Sequence, residues 1–193
     1  DFSNLCPLPV SEVTETPTVG FVGRIPFLHT ADGRRKLHSG FEFRYLAHTY
    51  LEKSNEICYD AHPRCEPDGD SAGFWNDSIP NKKKFDPLFK TNMLANQYNL
   101  CTRGNANWSL RFFETLAYGR IPIYVESGGR LPWDQAIDYF TDACFPVIRD
   151  ITNIEPEILA FHQTHDLHKT QGQCRKMYEK YFSQEGQIKL FDE

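Results

Sequence analysis

Residues 98–125, YNLCTRGNANWSLRFFETLAYGRIPIYV, constrain the fold of this chain more than any other stretch. Tyr98–Thr102 is a short apolar run with strand-like composition. Arg103–Trp108 is rich in loop residues, and either Asn107 or Ser109 can serve as a helix N-cap. From Ser109 the period changes. Leu110, Phe113, Leu116 and Ala117 recur at three- and four-residue spacing, which predicts one buried helical face. Gly119 falls where a helix C-terminal glycine belongs, and Ile121–Val125 is a second apolar run. Strand, glycine-containing loop, helix, strand is a βαβ unit, with a crossover helix of roughly ten residues, about 15 Å long.

Such a unit creates a place for an anion. The free N–H groups at a helix start, with the positive end of the helix dipole, favour phosphate or carboxylate. Arg103, Gly104, Ser109 and Arg111 cluster around that end. Arg111, Glu114 or Thr115, and Tyr118 are spaced to share a face opposite the apolar stripe. A guanidinium near the helix start and a carboxylate one turn later suit a nucleoside diphosphate, arginine on phosphate and glutamate on the ribose hydroxyls. The same spacing suits an exposed Arg111–Glu114 surface pair, worth about 0.3 kcal/mol.

The longer stretch RGNANWSLRFFETLAYGRIPIYVESGGRLPWDQAIDYF closely resembles the core of exostosin-like glycosyltransferases. These carry Arg-Gly, then Ser-x-Arg-x-x-Glu, a small residue before Gly-x-Ile-Pro, and Leu-Pro followed by an aromatic, an acidic residue and Ile-Asp-aromatic. The resemblance runs from about Thr18 to Asp150 and is nearer to bacterial and viral members than to animal ones. It implies an α/β fold with a Rossmann-like, doubly wound parallel sheet, the nucleotide-sugar-binding half of a two-domain GT-B enzyme. It also implies an inverting, metal-independent transfer of a hexose or pentose, such as xylose, from a UDP-sugar to a growing glycan. UDP donors carrying xylose, galactose, glucuronate or N-acetylglucosamine all fit. A non-catalytic nucleotide-sugar-binding module is the alternative. By the resemblance Glu114 holds the ribose, while Ser109 and Arg111 hold the diphosphate and Arg111 stabilises the leaving group. The acceptor base has no assignment, since in GT-B enzymes it commonly comes from the other domain. Members often carry an acidic residue near Glu126, a candidate acceptor for sugar hydroxyls, but Gly128-Gly129-Arg130 departs from the usual loop.

At 193 residues the chain accommodates one domain, or one and a short arm. Residues 1–17, with three prolines, read as an arm or interdomain linker, and residues 18–193 as the donor-binding domain. A net charge of −5 argues against a nucleic-acid partner, whose footprint would be basic. No run approaches the roughly 18 apolar residues of a membrane span. The N-terminus lacks the order of a signal peptide, so a cytoplasmic location is expected, or a Golgi lumen if an upstream anchor was removed. The six cysteines are scattered without paired spacing, which makes zinc a weak case and reduced thiols the expectation. A Cys58–Cys65 bridge is the best candidate for an oxidising compartment.

The rest of the chain supplies further expectations. Thr18–Gly23 reads as the first strand. Arg24 then lies outside a strand's carboxyl end, where doubly wound folds bind ligands; it is a second phosphate or sugar contact, or a solvated loop arginine. Ala31–Ser54 reads as a long helix, with Leu37, Phe41, Tyr45 or Leu46, and Tyr50 on its buried side. Arg34, Arg35 and Lys36 at its start oppose the helix dipole unless an anion is near, so Arg34 or Arg35 faces the diphosphate or forms an exposed basic turn. Glu56–Tyr59 is a short strand. Asp68-Gly69-Asp70 tempts a divalent-metal reading but sits in a turn-forming loop, and no metal cofactor is expected there. Asn76 and Asn107 head glycosylation sequons. Phe85–Asn96, Glu155–Phe161 and Lys169–Phe182 read as helices, Leu131–Tyr139 as a short helix and Cys144–Ile148 as the last strand. His162, His165 and His168 read as a solvated helix face.

Overall fold

The computed structural model describes residues 13–25, 39–64, 80–104, 106–140 and 143–192. The Asp68-Gly69-Asp70 loop, Asn76, Cys65 and the Arg34–Arg35 pair lie outside them. Five strands form the sheet: β1 Thr18–Arg24, β2 Cys58–Arg64, β3 Tyr98–Cys101, β4 Ile121–Val125 and β5 Val147–Ile148. Every pairing is parallel, in the order β2-β1-β3-β4-β5. The chain therefore builds outward from β1 to β2, then returns to the other side of β1 for β3. This is a doubly wound, Rossmann-like α/β sheet whose order reverses between β1 and β3.

Helices α1 (Ser39–Glu52), α2 (Pro80–Ala95) and α3 (Leu110–Ala117) make the crossovers. After β5 follow a single 3-10 turn and helices α4 (Ile154–Thr164), α5 (Leu167–Tyr181) and α6 (Gln184–Asp192). Helix α1 packs with α4 and α3 packs with α5. Strand β3 shows the alternation that separates the two layers. Tyr98 meets Phe161 and His162 of α4, whereas Asn99 lies with Asn92 and Asn96 beside β1. Val19, Phe21 and Val22 of β1 and Leu100 and Cys101 of β3 are buried, as expected of strands covered on both faces. No described helix is long and apolar enough to cross a membrane.

Between β1, β2 and α2 the filling is polar. The Asn92 amide donates to the Asp60 carbonyl at 2.9 Å and to its carboxylate at 2.7 Å. Asn96 reaches the same carboxylate at 3.1 Å. A Cβ on Gly20 would lie 2.6 Å from Asn92 Oδ1 and 2.9 Å from Asn96 Nδ2. Glycine is needed there for room.

Several sequence expectations need correction. Tyr50 of α1 is 37% exposed; Ala47 and Leu51, one turn apart, carry the buried face, and a small alanine leaves little mark on an aromatic pattern. Leu110 is 43% exposed because the core face of α3 centres on Phe112, Phe113 and Leu116. Strand β2 runs past Tyr59 to Arg64, and β5 keeps only Val147–Ile148. No helix forms over Leu131–Tyr139. Leu131, Ile137 and Tyr139 are all buried, and at about 100° per residue a helix would point them in three directions. The segment instead turns at Trp133, with φ 55°, and the Tyr139 hydroxyl donates to the Pro132 carbonyl at 2.6 Å. His162 is not simply solvated. Its Nε2 lies 2.9 Å from the Thr14 carbonyl and its Nδ1 3.1 Å from the Tyr98 hydroxyl. A carbonyl only accepts, so Nε2 carries the proton and Nδ1 accepts from Tyr98. His165 stacks on Phe161 at 3.8 Å.

Gly20→Ala is expected to lower stability by about 1–3 kcal/mol through overpacking, read as a lower urea midpoint at unchanged slope. A midpoint equal to that of the wild type would show that the amide cluster does not close on β1.

Candidate functional site

Strands β1 and β3 ladder only at Val19↔Tyr98 and Gly20↔Asn99, whereas β1 and β2 pair from Thr18↔Cys58 to Arg24↔Arg64. Beyond Gly20, β3 no longer ladders with β1; this is the switch point, the crevice position at which open α/β sheets bind ligands. Three arginines gather there: Arg24 at the end of β1, Arg44 from α1 and Arg111 from the first turn of α3.

Arg44 bridges the crevice. Its Nη1 donates to the Arg24 carbonyl at 3.0 Å, its Nη2 to the Thr102 carbonyl at 3.1 Å and its Nε to the Thr102 hydroxyl at 3.1 Å. Arg111 reaches the other way, donating from Nη2 to the Val22 carbonyl. Its guanidinium lies 4.6 Å from the Phe21 ring centroid and 5.4 Å from that of Phe89, both within cation–π range. The Arg24 guanidinium stands 5.8 Å from the Phe41 ring. Two glycines leave space for these side chains. A Cβ on Gly23 would come within 3.2 Å of Arg111 Nη2, and one on Gly104 within 3.1 Å of Arg44 Nη2.

The electrostatics follow from that crowding. Burial first, then Arg111 and Arg24, push Arg44 down to about 9. Arg111 is lowered by burial, and Glu114 is raised by burial against the opposing pull of Arg111. The Arg111 Nε is enclosed without a hydrogen-bond partner. Among the described residues no carboxylate forms an ion pair with Arg24, Arg44 or Arg111. Guanidinium groups hold their protons strongly, so the shift of Arg44 reads first as the cost of burying its charge and second as the cost of two cationic neighbours. An anion in the crevice would lower that cost.

The other residues singled out from sequence are placed unevenly. Ser109 is the N-cap of α3 but its hydroxyl makes no capping hydrogen bond. Glu114, half-buried, forms no ion pair with Arg111 among the described residues. The exposed Arg111–Glu114 pair is thus not what forms: Arg111 is held by Val22, Phe21 and Phe89. Arg103 Nη1 lies 3.4 Å from the Ser127 carbonyl, tying the β3–α3 loop to the loop after β4. A Cβ on Gly129 would stand 1.9 Å from the Asn107 carbonyl oxygen, so the two loops touch backbone to backbone. Glu126 lies outside the arginine group, exposed and 3.5 Å from Arg149. Arg34 lies outside the described residues. Among the described residues no group of three or more His, Cys, Asp or Glu could hold a metal ion.

Arg44 and Thr102 were missed from sequence. Arg44 sits in Phe41-Glu42-Phe43-Arg44-Tyr45, and a cation among three aromatics on one helix was the available signal.

No protein-family model matches the chain. Over 168 residues, 84% of the chain, it is 29% identical to an exostosin-1 homolog of Caenorhabditis elegans, and the match spans 40% of that protein's length. That similarity supports an exostosin-like relationship at most.

Gly129→Ala is expected to force the two loops apart and cost about 1–3 kcal/mol. Gly128, with φ 72° and nothing within 4 Å of an added Cβ, should accept asparagine, which tolerates that backbone, within about 0.5 kcal/mol. Chemical unfolding of both variants measures the difference. Equal losses would show that the loops do not touch at Gly129.

Proposed function

We propose that this chain binds a UDP-sugar and acts as the donor-binding part of an exostosin-like, inverting glycosyltransferase that extends a glycan. The observation that carries this reading is the arginine group at the switch point, three guanidinium groups with no carboxylate paired to them among the described residues. A diphosphate has the charge and length to meet several of them at once, and arginine presents planar donors suited to phosphate oxygens.

The similarity to an exostosin-1 homolog joins this charge to a glycosyltransferase-like function. Breaking the sugar–phosphate bond builds negative charge on the leaving diphosphate. Preorganised donors at that position stabilise the transition state more than the ground state. Arg111, with its unpartnered Nε, and the Ser109 hydroxyl at the start of α3 are the groups assigned to that task. Arg44 and Arg24 set the positive field behind them, so counter-charge comes from the chain's own residues without a metal. Glu114, one turn along α3, takes the ribose hydroxyls. Inversion further requires a base on the opposite face of the sugar to deprotonate the acceptor.

Glu114→Ala is expected to weaken UDP binding roughly 10- to 100-fold, the loss of a charged hydrogen bond. Arg111→Gln keeps a polar side chain but removes the charge; it should weaken UDP binding far more than uridine binding. Titration calorimetry on both variants, with thermal melts to establish folding, reads these changes. Unchanged UDP affinity in a folded Glu114→Ala protein would overturn the donor-site assignment. Sugar transfer is then assayed with a panel of UDP-sugars and the longest native chain. UDP binding without transfer would leave a nucleotide-sugar-binding module.

A further inference from the structure

Cys144 and Cys174 are 30 residues apart in sequence, yet their sulfurs lie 3.6 Å apart in the core. Cys144 belongs to the irregular segment that leads into β5, and Cys174 to the middle of α5. The Cys174 thiol also lies 3.3 Å from the Cys144 carbonyl. Both cysteines are free, with 9% and 0% exposure. A disulfide needs the sulfurs at about 2.05 Å. The two sulfurs must therefore approach by about 1.5 Å.

We propose that Cys144 and Cys174 form a disulfide site, closed by exchange with a low-molecular-weight disulfide such as oxidised glutathione. The site is independent of the donor-binding reading. In the first step the Cys144 thiolate attacks one sulfur of the small disulfide. The sulfur–sulfur bond breaks, one small thiolate leaves and a mixed disulfide remains on Cys144. In the second step Cys174 gives up its proton to the departed thiolate and attacks the Cys144 sulfur, expelling the second small thiolate, which takes a proton from solvent. Two protein thiols are oxidised and one small disulfide is reduced to two thiols, so no other oxidant is required.

The order of attack follows from the surroundings. Cys144 is the more accessible sulfur, and the hydrogen bond from Cys174 lowers its proton affinity. Cys174 is raised by burial and by its neighbour, which slows its attack, but its sulfur 3.6 Å from that of Cys144 gives it the resolving role by position. Cys101 is a poor competitor: burial pushes its thiol up to about 12, and it is held against the Asn99 carbonyl at 3.3 Å. The bond would fasten α5 to the segment entering β5. Arg175, the residue after Cys174, donates to the Ala117 carbonyl at the end of α3, so the cross-link would also steady the support of α3.

The full chain is incubated with oxidised glutathione, quenched in acid, alkylated after unfolding and mapped by mass spectrometry. A Cys144–Cys174 linked peptide that disappears on reduction is expected. The melting midpoint should rise on the order of 10 °C, with no rise in Cys144→Ser. Cys174→Ser, unable to resolve the intermediate, should keep one glutathione on Cys144. Recovery of both cysteines as alkylated thiols, while the exposed Cys58 reacts, would overturn the proposal. So would a bridge from either of them to a different cysteine. If Cys174→Ser fails to fold, the wild-type map decides alone.

Discussion

The tie made by Arg44 is the contact on which the crevice depends. Strands β1 and β3 ladder over two residue pairs and then separate. Past that point their carbonyls lack a ladder between them, and a buried carbonyl without a partner is costly. Arg44 bonds the Arg24 carbonyl on one side and Thr102 on the other, and Arg111 takes the Val22 carbonyl. Guanidinium groups thus do at the carboxyl end of the sheet what backbone does in its middle.

This arrangement is expensive. Arg24, Arg44 and Arg111 repel one another, and burial strips water from at least two of them. The aromatic faces of Phe21, Phe41 and Phe89 return part of the lost solvation. Glu114 does not neutralise the group, since it forms no ion pair with Arg111 among the described residues and burial disfavours its charge. A fold retains such a cluster only where its core stability exceeds the repulsion, and here the apolar core continues from Val19 through β4 into α4 and α5.

The βαβ unit was legible because its three parts differ in period: apolar runs at both strands, three- and four-residue spacing between them, and Gly119 at the exit with φ 66°. The parallel sheet and the placing of Arg111 near the crevice followed from it. Arg44 was not legible, because periodicity records which positions are apolar and not which cation a helix aims at a neighbouring strand. The segment from Leu131 to Tyr139 misled for a related reason. Pro132 and a polar-apolar mixture look like a helix start, but three buried side chains at incompatible angles exclude one. Cys144 and Cys174 escaped a search based on spacing, since only the packing of α5 against the strand end brings them together. His162 was placed with solvent by its exposed neighbours, while its partners, Thr14 and Tyr98, lie far away in sequence.

Helix α3 has eight residues, too few to persist alone in water, so its position is set from outside. At its N-terminal end Gly129 lets the loop after β4 touch the Asn107 carbonyl, and Arg103 reaches Ser127 across the same gap. In its middle Phe112 packs edge-to-face on Tyr124, Tyr139 and Phe145. At its C-terminal end the Ala117 carbonyl, lacking an intrahelical donor, receives Arg175 from α5, and Tyr118 and Gly119 turn the chain into β4. Anchors at both ends and along one face leave the helix little freedom to rotate. Ser109, Arg111 and Glu114 therefore stand at fixed angles to the end of β1, and such preorganisation is what a charge-stabilising site requires.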